Sequence, residues 1–229
     1  MERHRLHGII NREIKRPDPA IVARLAAHDA AKLADAMAGY GVAHHEIKPI
    51  LREMRACGPA LTVLTRPGDA LYVQKAIELI RPGDVVVIDA GGYRDVSVIG
   101  ERLAHFMKLK GVAGIVVDGA VRDSAGIVAE GIPTFCRSCC IRIFGSRGPG
   151  AINVPVTCGG VPVNPGDIVL GDCDGVVIVP REDAARVADL ADAHLAGELE
   201  RVKQIEAGES VAEVFGLAPK LAAWESEGG

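Results

Sequence analysis

Aromatic residues are scarce: Phe, Tyr and Trp together make up 3% of the 229 residues, and Trp occurs once. Any core must therefore be built from Val, Ile, Leu and Ala, and a chain that is 48% hydrophobic can bury a substantial one. An excess of one charge is also lacking. With a formal net charge of -4 and its Lys, Arg, Asp and Glu evenly scattered, the sequence has no basic stripe to track a phosphate backbone. Nucleic acid is not expected as a direct ligand. Long apolar runs are missing too: "MERHRLHGIINREIKR" is charged throughout with no apolar h-region, and no later segment is long enough to span a bilayer. These absences lead to the expectation of a soluble cytoplasmic protein with no membrane partner.

A complete set of zinc ligands is also absent. "CRSCC" gives a C-x-x-C spacing at Cys136 and Cys139, followed by Cys140, but Cys57, Cys158 and Cys173 stand singly and supply no second pair. With no secretion signal a disulfide framework is not expected, and small buried or interfacial thiols are. His44 and His45 are adjacent, so on a regular element they diverge; a solvated loop is expected there.

What is present is a pattern of alternating strands and helices. In "AIVARLAAHDAAKLADAMAGYG" the residues Val22, Ala26, Ala30, Leu33 and Met37 recur at helical spacing, predicting one amphipathic helix ended by Gly39 and Gly41. A strand is read over 59–65, a helix over 67–80, and a turn into a strand over 82–92. The run Val85 to Ile88 is continuous, as in a strand covered on both faces. A loop, "AGGYRDVSVI", then leads to a helix over 100–111 and a buried strand, "VAGIVVDG", which completes a βαβ unit. A short helix over 124–131 and a strand "IPTFCR" follow. From Ile152 to Pro180 short strands are broken by Gly-Gly, Asn-Pro-Gly and Asp-Gly turns, a β-rich layer, and a long helix then runs out. No linker separates these parts, so residues 1–229 are read as one domain with a helical extension from about 181 to 229.

Two strand-to-helix junctions carry candidate chemistry. "GSRGPG" over 145–150 lacks the Lys-Ser/Thr of a P-loop and reads as a surface loop. Gly100, by contrast, opens a helix whose first N–H groups suit a carboxylate. In "VVDGAVRDSAGI" an arginine and an aspartate sit side by side where a buried strand ends. Ligands of parallel sheets gather beyond the carboxyl ends of the strands, so the two junctions should face one pocket. The guanidinium of Arg122 offers a fork of donors, and Asp123 offers a carboxylate to Mg²⁺ or Mn²⁺, which often need only one or two protein ligands. The residues also allow a purely structural reading: Asp123 or Ser124 caps the short helix, Asp118-Gly119 is a turn, and Arg122 pairs with a neighbouring acid. Chemistry alone leaves both open.

"GERLAHFMKLKGVAGIVVDGAVRD" resembles the signature of the RraA-like family, which includes class II pyruvate aldolases acting on 4-hydroxy-4-methyl-2-oxoglutarate and 4-carboxy-4-hydroxy-2-oxoadipate. The resemblance extends from the helix near Ala20 through "INVPV" and "NPGDIVLGDCDGVVIVP". It implies an α/β chain with a three-layer β/β/α fold related to swivelling domains, assembled as homotrimers or as hexamers of paired trimers. It implies further that Gly100, Glu101, Arg102 and Leu103 hold a pyruvyl carboxylate by their N–H groups, that Arg122 contacts the 2-keto oxygen, and that Asp123 ligates a divalent cation, Mg²⁺ or Mn²⁺. The family commonly has Gly-Asp/Glu-Leu-Leu at this place. Here Glu101 keeps the acid and Arg102 departs, which bears on the leaving acid accepted. Near the C-terminus, "EAGESVAEVFGL" offers Glu209 as the glutamate that in the aldolases reaches a neighbouring subunit's pocket, although the residues after it differ from the aldolase pattern; a solvated helix-end glutamate is its plain reading.

The expected substrate is a small 4-hydroxy-2-oxo acid, cleaved to pyruvate and a second 2-oxo acid, with oxaloacetate decarboxylation as a side activity. The base would be a metal-bound water, or a water oriented by Glu209 or Glu101. The rival expectation is a non-enzymatic regulator of the kind that gives the family its name, which inhibits an endoribonuclease by binding protein.

Overall fold

The β-branched runs form the middle of a mixed sheet. In the computed structural model, which describes residues 8–227, the strands are β1 (Lys48–Pro49), β2 (Ala56–Thr65), β3 (Val85–Ile99), β4 (Gly114–Val121), β5 (Thr134–Cys139), β6 (Gly150–Ile152), β7 (Val156–Cys158), β8 (Val161–Val163), β9 (Ile168–Asp172) and β10 (Gly175–Val179). The sheet runs β1-β5-β4-β3-β2-β9-β10, with β2 to β5 parallel and the outer strands antiparallel; β6 pairs with β2, and β7 and β8 form a separate hairpin. Every residue of β4 is buried, as the central strand of a two-sided layer must be.

The helices are α1 (Pro19–Ala26), α2 (Ala30–Ala36), α3 (Leu71–Ala76), α4 (Glu101–Leu109), α5 (Ser124–Ala129), α6 (Ala184–Glu206), α7 (Val211–Val214) and α8 (Leu217–Glu227). Helices α3, α4 and α5 cover one face of the sheet over a core that includes Val86, Ile88, Val117, Met107 and Ile127. Val87, Val116 and Phe135 point the other way, against Val156, Cys158 and Val163 of the small β layer. A third cluster, with Leu25, Leu33, Val177 and Val187, joins α1, α2 and α6 to β9 and β10. Among the described residues the core holds one large aromatic side chain, Phe135. The aliphatic core and the layered α/β arrangement are as expected. Of the expected charged N-terminal stretch and C-terminal extension, residues 1–7 and 228–229 lie outside the described residues.

Three local expectations are corrected. The single helix from Ala20 to Gly41 is two, because the chain turns at Ala27–Asp29. His28 is buried there, 2.8 Å from an oxygen of Asp192, and Asp172 accepts the N–H of Ala30 at 2.7 Å to start α2. The apolar spacing survives across the break since both helices cover the same core. "AGGYRDVSVI" is not a loop: β3 continues through it to Ile99, with Gly91 and Gly92 in left-handed conformations where the register slips against β4. Asp118-Gly119 is not a turn but lies inside β4.

Candidate functional site

Helix α4 starts immediately after β3, and the Arg-Asp pair immediately after β4. The two junctions are tied together by a bond from the N–H of Arg122 to the carbonyl of Ile99 (3.0 Å). A cleft of about 460 Å³ opens beside them, lined by Gly100, Arg102, Leu103, Arg122 and Asp123 together with Gln74, Phe106, Ile143 and Phe144. Five of the residues expected at the site thus share one cavity.

The glycine is required by its neighbours. A Cβ on Gly100 would stand 2.5 Å from Oδ2 of Asp123 and 2.9 Å from Cγ of Arg122, closer than atoms pack. No side chain caps α4, so the N–H groups of its first turn meet the cleft as an unsatisfied positive end. Asp123 occupies the N-cap position of α5 without making a side-chain cap bond, and its backbone is left-handed at φ 57° and ψ 39°. A non-glycine residue seldom adopts that region, and aspartate is among those that tolerate it best. Its carboxylate instead accepts from Nε of Arg122, at 3.1 Å to Oδ1 and 3.2 Å to Oδ2. The aspartate therefore stands at the cap position without acting as the cap.

The other two expected residues lie apart. Glu101 begins α4 but turns its side chain over Gly126 of α5, where a Cβ would collide with the carboxylate. Glu209 is exposed between α6 and α7 and does not line this chain's cleft. Among the described residues Asp123 is the only acid in the lining.

Other charged groups build the scaffold, and sequence reasoning missed them. Asp118 is buried and accepts from Nε of Arg137 and from the N–H of Gly159 (2.6 Å); Arg137 also reaches Glu46 (3.0 Å). Its neighbour across the ladder, Asp89, accepts from the N–H of Thr157 (3.0 Å). Burial pushes the Asp89 carboxyl up, and the nearby charge of Asp118 adds to this. These two carboxylates fasten the β7–β8 hairpin to the sheet. Asp69, fully buried, accepts from the N–H groups of Leu71 (3.0 Å), Arg147 (2.7 Å) and Gly148 (3.0 Å). The "GSRGPG" loop is thus anchored, and Phe144 just before it walls the cleft. The signal for each was an acid within an apolar or glycine-rich stretch, but nothing in the sequence named its partners.

A carboxylate free of capping, set at the edge of an open cleft, fits an oxygen-seeking divalent cation that keeps most of its waters. Asp172, Cys173 and Asp174 also come together in the β9–β10 turn. Both Asp172 oxygens accept backbone N–H groups, of Ala30 and of Asp174 (2.9 Å), so that cluster shapes the turn.

Residues 30–178 match the RraA-like family, described as Aldolase/RraA. The chain belongs to this family. A relative from Halalkalibacterium halodurans is 42% identical over 159 residues, covering 69% of this chain and 76% of its own, and carries the provisional name 4-hydroxy-4-methyl-2-oxoglutarate aldolase. Among solved structures, Streptomyces coelicolor RraAS2, described as an unusual member of the RNase ES inhibitor RraA protein family, superposes with a TM-score of 0.74 at 30% identity, over 82% of this chain and all of that one. The RNA-processing inhibitor RraA from Thermus thermophilus matches 67% of this RraA-like chain and 93% of its own, with a TM-score of 0.62 and 29% identity. No helix among the described residues is long and apolar enough to cross a membrane.

Proposed function

We propose that the protein is a divalent-metal-dependent class II aldolase that cleaves a 4-hydroxy-2-oxo acid, 4-hydroxy-4-methyl-2-oxoglutarate or 4-carboxy-4-hydroxy-2-oxoadipate, to pyruvate and a second 2-oxo acid. The observation that carries this reading is the uncapping carboxylate of Asp123, held beside Arg122 and the open start of α4. The first-turn N–H groups from Glu101 to Leu103 bind the C1 carboxylate of the substrate. Arg122 presents its guanidinium to the 2-keto oxygen, where negative charge grows as the C3–C4 bond breaks. Charge placed there stabilises the transition state more than the ground state. Asp123 would hold the cation, Mg²⁺ or Mn²⁺, which when bound supplies further positive charge to the developing enolate. Leu103, Phe106 and Phe144 give the cleft an apolar wall beside these groups.

The proton of the C4 hydroxyl must leave to a base. Glu101 takes it through a water within the chain, or Glu209 does so from a neighbouring copy in a trimer or hexamer. Loss of CO₂ from oxaloacetate leaves the same enolate, so this decarboxylation is a side activity of the same groups.

A second reading, a regulator acting by binding an endoribonuclease, is supported by the likeness to Streptomyces coelicolor RraAS2, described as a member of an RNase inhibitor family. Pyruvate release with Mg²⁺ or Mn²⁺ separates the two. The aldolase releases pyruvate, EDTA abolishes the release, and the metal restores it. Full activity after exhaustive chelation overturns the metal's role. A folded protein that releases none from a panel of 4-hydroxy-2-oxo acids overturns the aldolase.

A further inference from the structure

The cleft beside Arg122 and Asp123 holds a second guanidinium, that of Arg102. Helix α4 presents two stripes. Glu101 lies over Gly126 of α5, while His105 and Lys108 both meet Glu130, the residue after that helix, at 3.0 and 2.9 Å. Arg102 and Phe106, one turn apart, line the cleft instead, with Leu103 between them. The acids close to α4 are thus engaged elsewhere, Glu101 at α5 and Asp123 with Nε of Arg122 (3.1 Å). Among the described residues the Arg102 side chain has no hydrogen bond and no ion pair. Arg122 and Asp123 offset each other's charge, so the charge of Arg102 is the surplus in the lining. Gln74 of α3 shares that lining, and its Oε1 accepts from the Ser146 hydroxyl (3.3 Å), which leaves its amide N–H groups as donors.

We propose that Arg102, assisted by Gln74, forms an anion subsite for a carboxymethyl group on C4 of the substrate, so that 4-carboxy-4-hydroxy-2-oxoadipate is preferred and oxaloacetate is the second product. This rests on the aldolase reading above. With the C1 carboxylate at the start of α4 and the 2-keto oxygen at Arg122, the groups left in the lining for the C4 substituents are the apolar Leu103, Phe106, Ile143 and Phe144 and the polar Arg102 and Gln74. A methyl group on C4 uses the apolar set and leaves a guanidinium charge unmatched beside the substrate. A carboxymethyl group brings the planar fork of Arg102 a bidentate acceptor. In the cleavage the C4 hydroxyl loses its proton and becomes the ketone of oxaloacetate. The C3–C4 electron pair passes to the pyruvate enolate, which takes up a proton at C3.

The test compares kcat/KM for two acids that differ only at C4, the carboxymethyl compound and the methyl compound 4-hydroxy-4-methyl-2-oxoglutarate, with the assembly followed by light scattering. Wild type should prefer the carboxymethyl acid. Arg102→Leu should lower that preference at least about tenfold, as loss of a charged hydrogen-bonding partner does; Arg102→Lys should restore part of it, and Gln74→Leu should lower it less. A wild-type preference for the methyl acid, a ratio unmoved in Arg102→Leu, or an equal loss on both acids would each overturn the subsite. So would an Arg102→Leu protein that falls to a smaller assembly, which would assign the guanidinium to a contact between copies. If neither acid is cleaved, the aldolase reading fails, and metal-free calorimetry with citrate and citramalate decides the subsite alone. These two acids differ by the same carboxymethyl-for-methyl exchange and have no 2-oxo group. Tighter binding of citrate, with the difference lost in Arg102→Leu, would uphold the subsite; equal binding, or none, would overturn it.

Discussion

Holding a non-glycine residue in the left-handed region costs about 1 to 3 kcal/mol, and Asp123 is held there with no capping bond in return. That cost makes sense if the carboxylate is used for binding. Asp123→Asn suits the same backbone and removes only the charge, so it should leave the melting temperature close to the wild-type value while metal affinity and nearly all turnover are lost; unchanged metal affinity by calorimetry would return Asp123 to a structural role. Arg122→Lys keeps the charge but loses the planar fork, so kcat should fall by roughly one to three orders of magnitude with metal still bound. Asp69 behaves differently. Burial opposes its ionisation, but the N–H groups of Leu71, Arg147 and Gly148 outweigh that and hold its carboxyl below the ordinary range. Asp69→Ala should cost about 3 kcal/mol at neutral pH. A carboxylate with a lowered folded pKa contributes stability above its unfolded pKa and loses it as pH falls through the folded value. The gap between wild type and Asp69→Ala in urea midpoints should therefore narrow as the pH falls below the ordinary carboxylate range and through the lowered folded value. Arg122, Asp123 and Gly100 were legible because strand-to-helix junctions can be located from local pattern. The partners of Asp69 and Asp118 were not, since their loops meet them only in the folded chain.

Strands β2, β4 and β5, helices α4 and α5, and the run of short strands after Ile152 were all readable from β-branched runs, helical spacing and turn residues. The misreadings share a cause. Helical periodicity continued through His28 because both helices rest on one core, and the glycines and charges of 91–95 resembled a loop although β4 extends β3 beyond them. Local sequence reports which face is buried, while the neighbouring strand decides where pairing ends. The two candidate bases also belong to different parts of the fold. Glu101→Gln, in the helix that opens the cleft, and Glu209→Gln, in the turn after α6, should be compared by kcat at saturating substrate. The true base loses at least about a hundredfold, and equal, minor effects would exclude both.

Beyond the sheet, α6 buries Ala184, Val187, Ala188 and Ala191 in its first half and then exposes Leu195, Leu199 and Val202, followed by Phe215 after α7 and by Leu221 and Trp224 on α8. A row of exposed apolar side chains of this length suits contact between copies, and the proposed assembly is a trimer or a pair of trimers. Light scattering should give a multiple of three chains. Leu199→Glu with Val202→Glu should reduce it to monomer while helix content by circular dichroism stays constant; a wild-type protein that is monomeric at micromolar concentration would refute the assembly.

The arm formed by α7 and α8 follows α6 and packs against the rest of its own chain chiefly through that helix. In evolutionary terms this separates two kinds of change. Substitutions in the sheet are judged by whether the chain folds, whereas in the proposed assembly those after Gly208 would be judged by what the arm meets. A lineage could thus alter partner or substrate choice at its C-terminus while leaving its inherited core untouched.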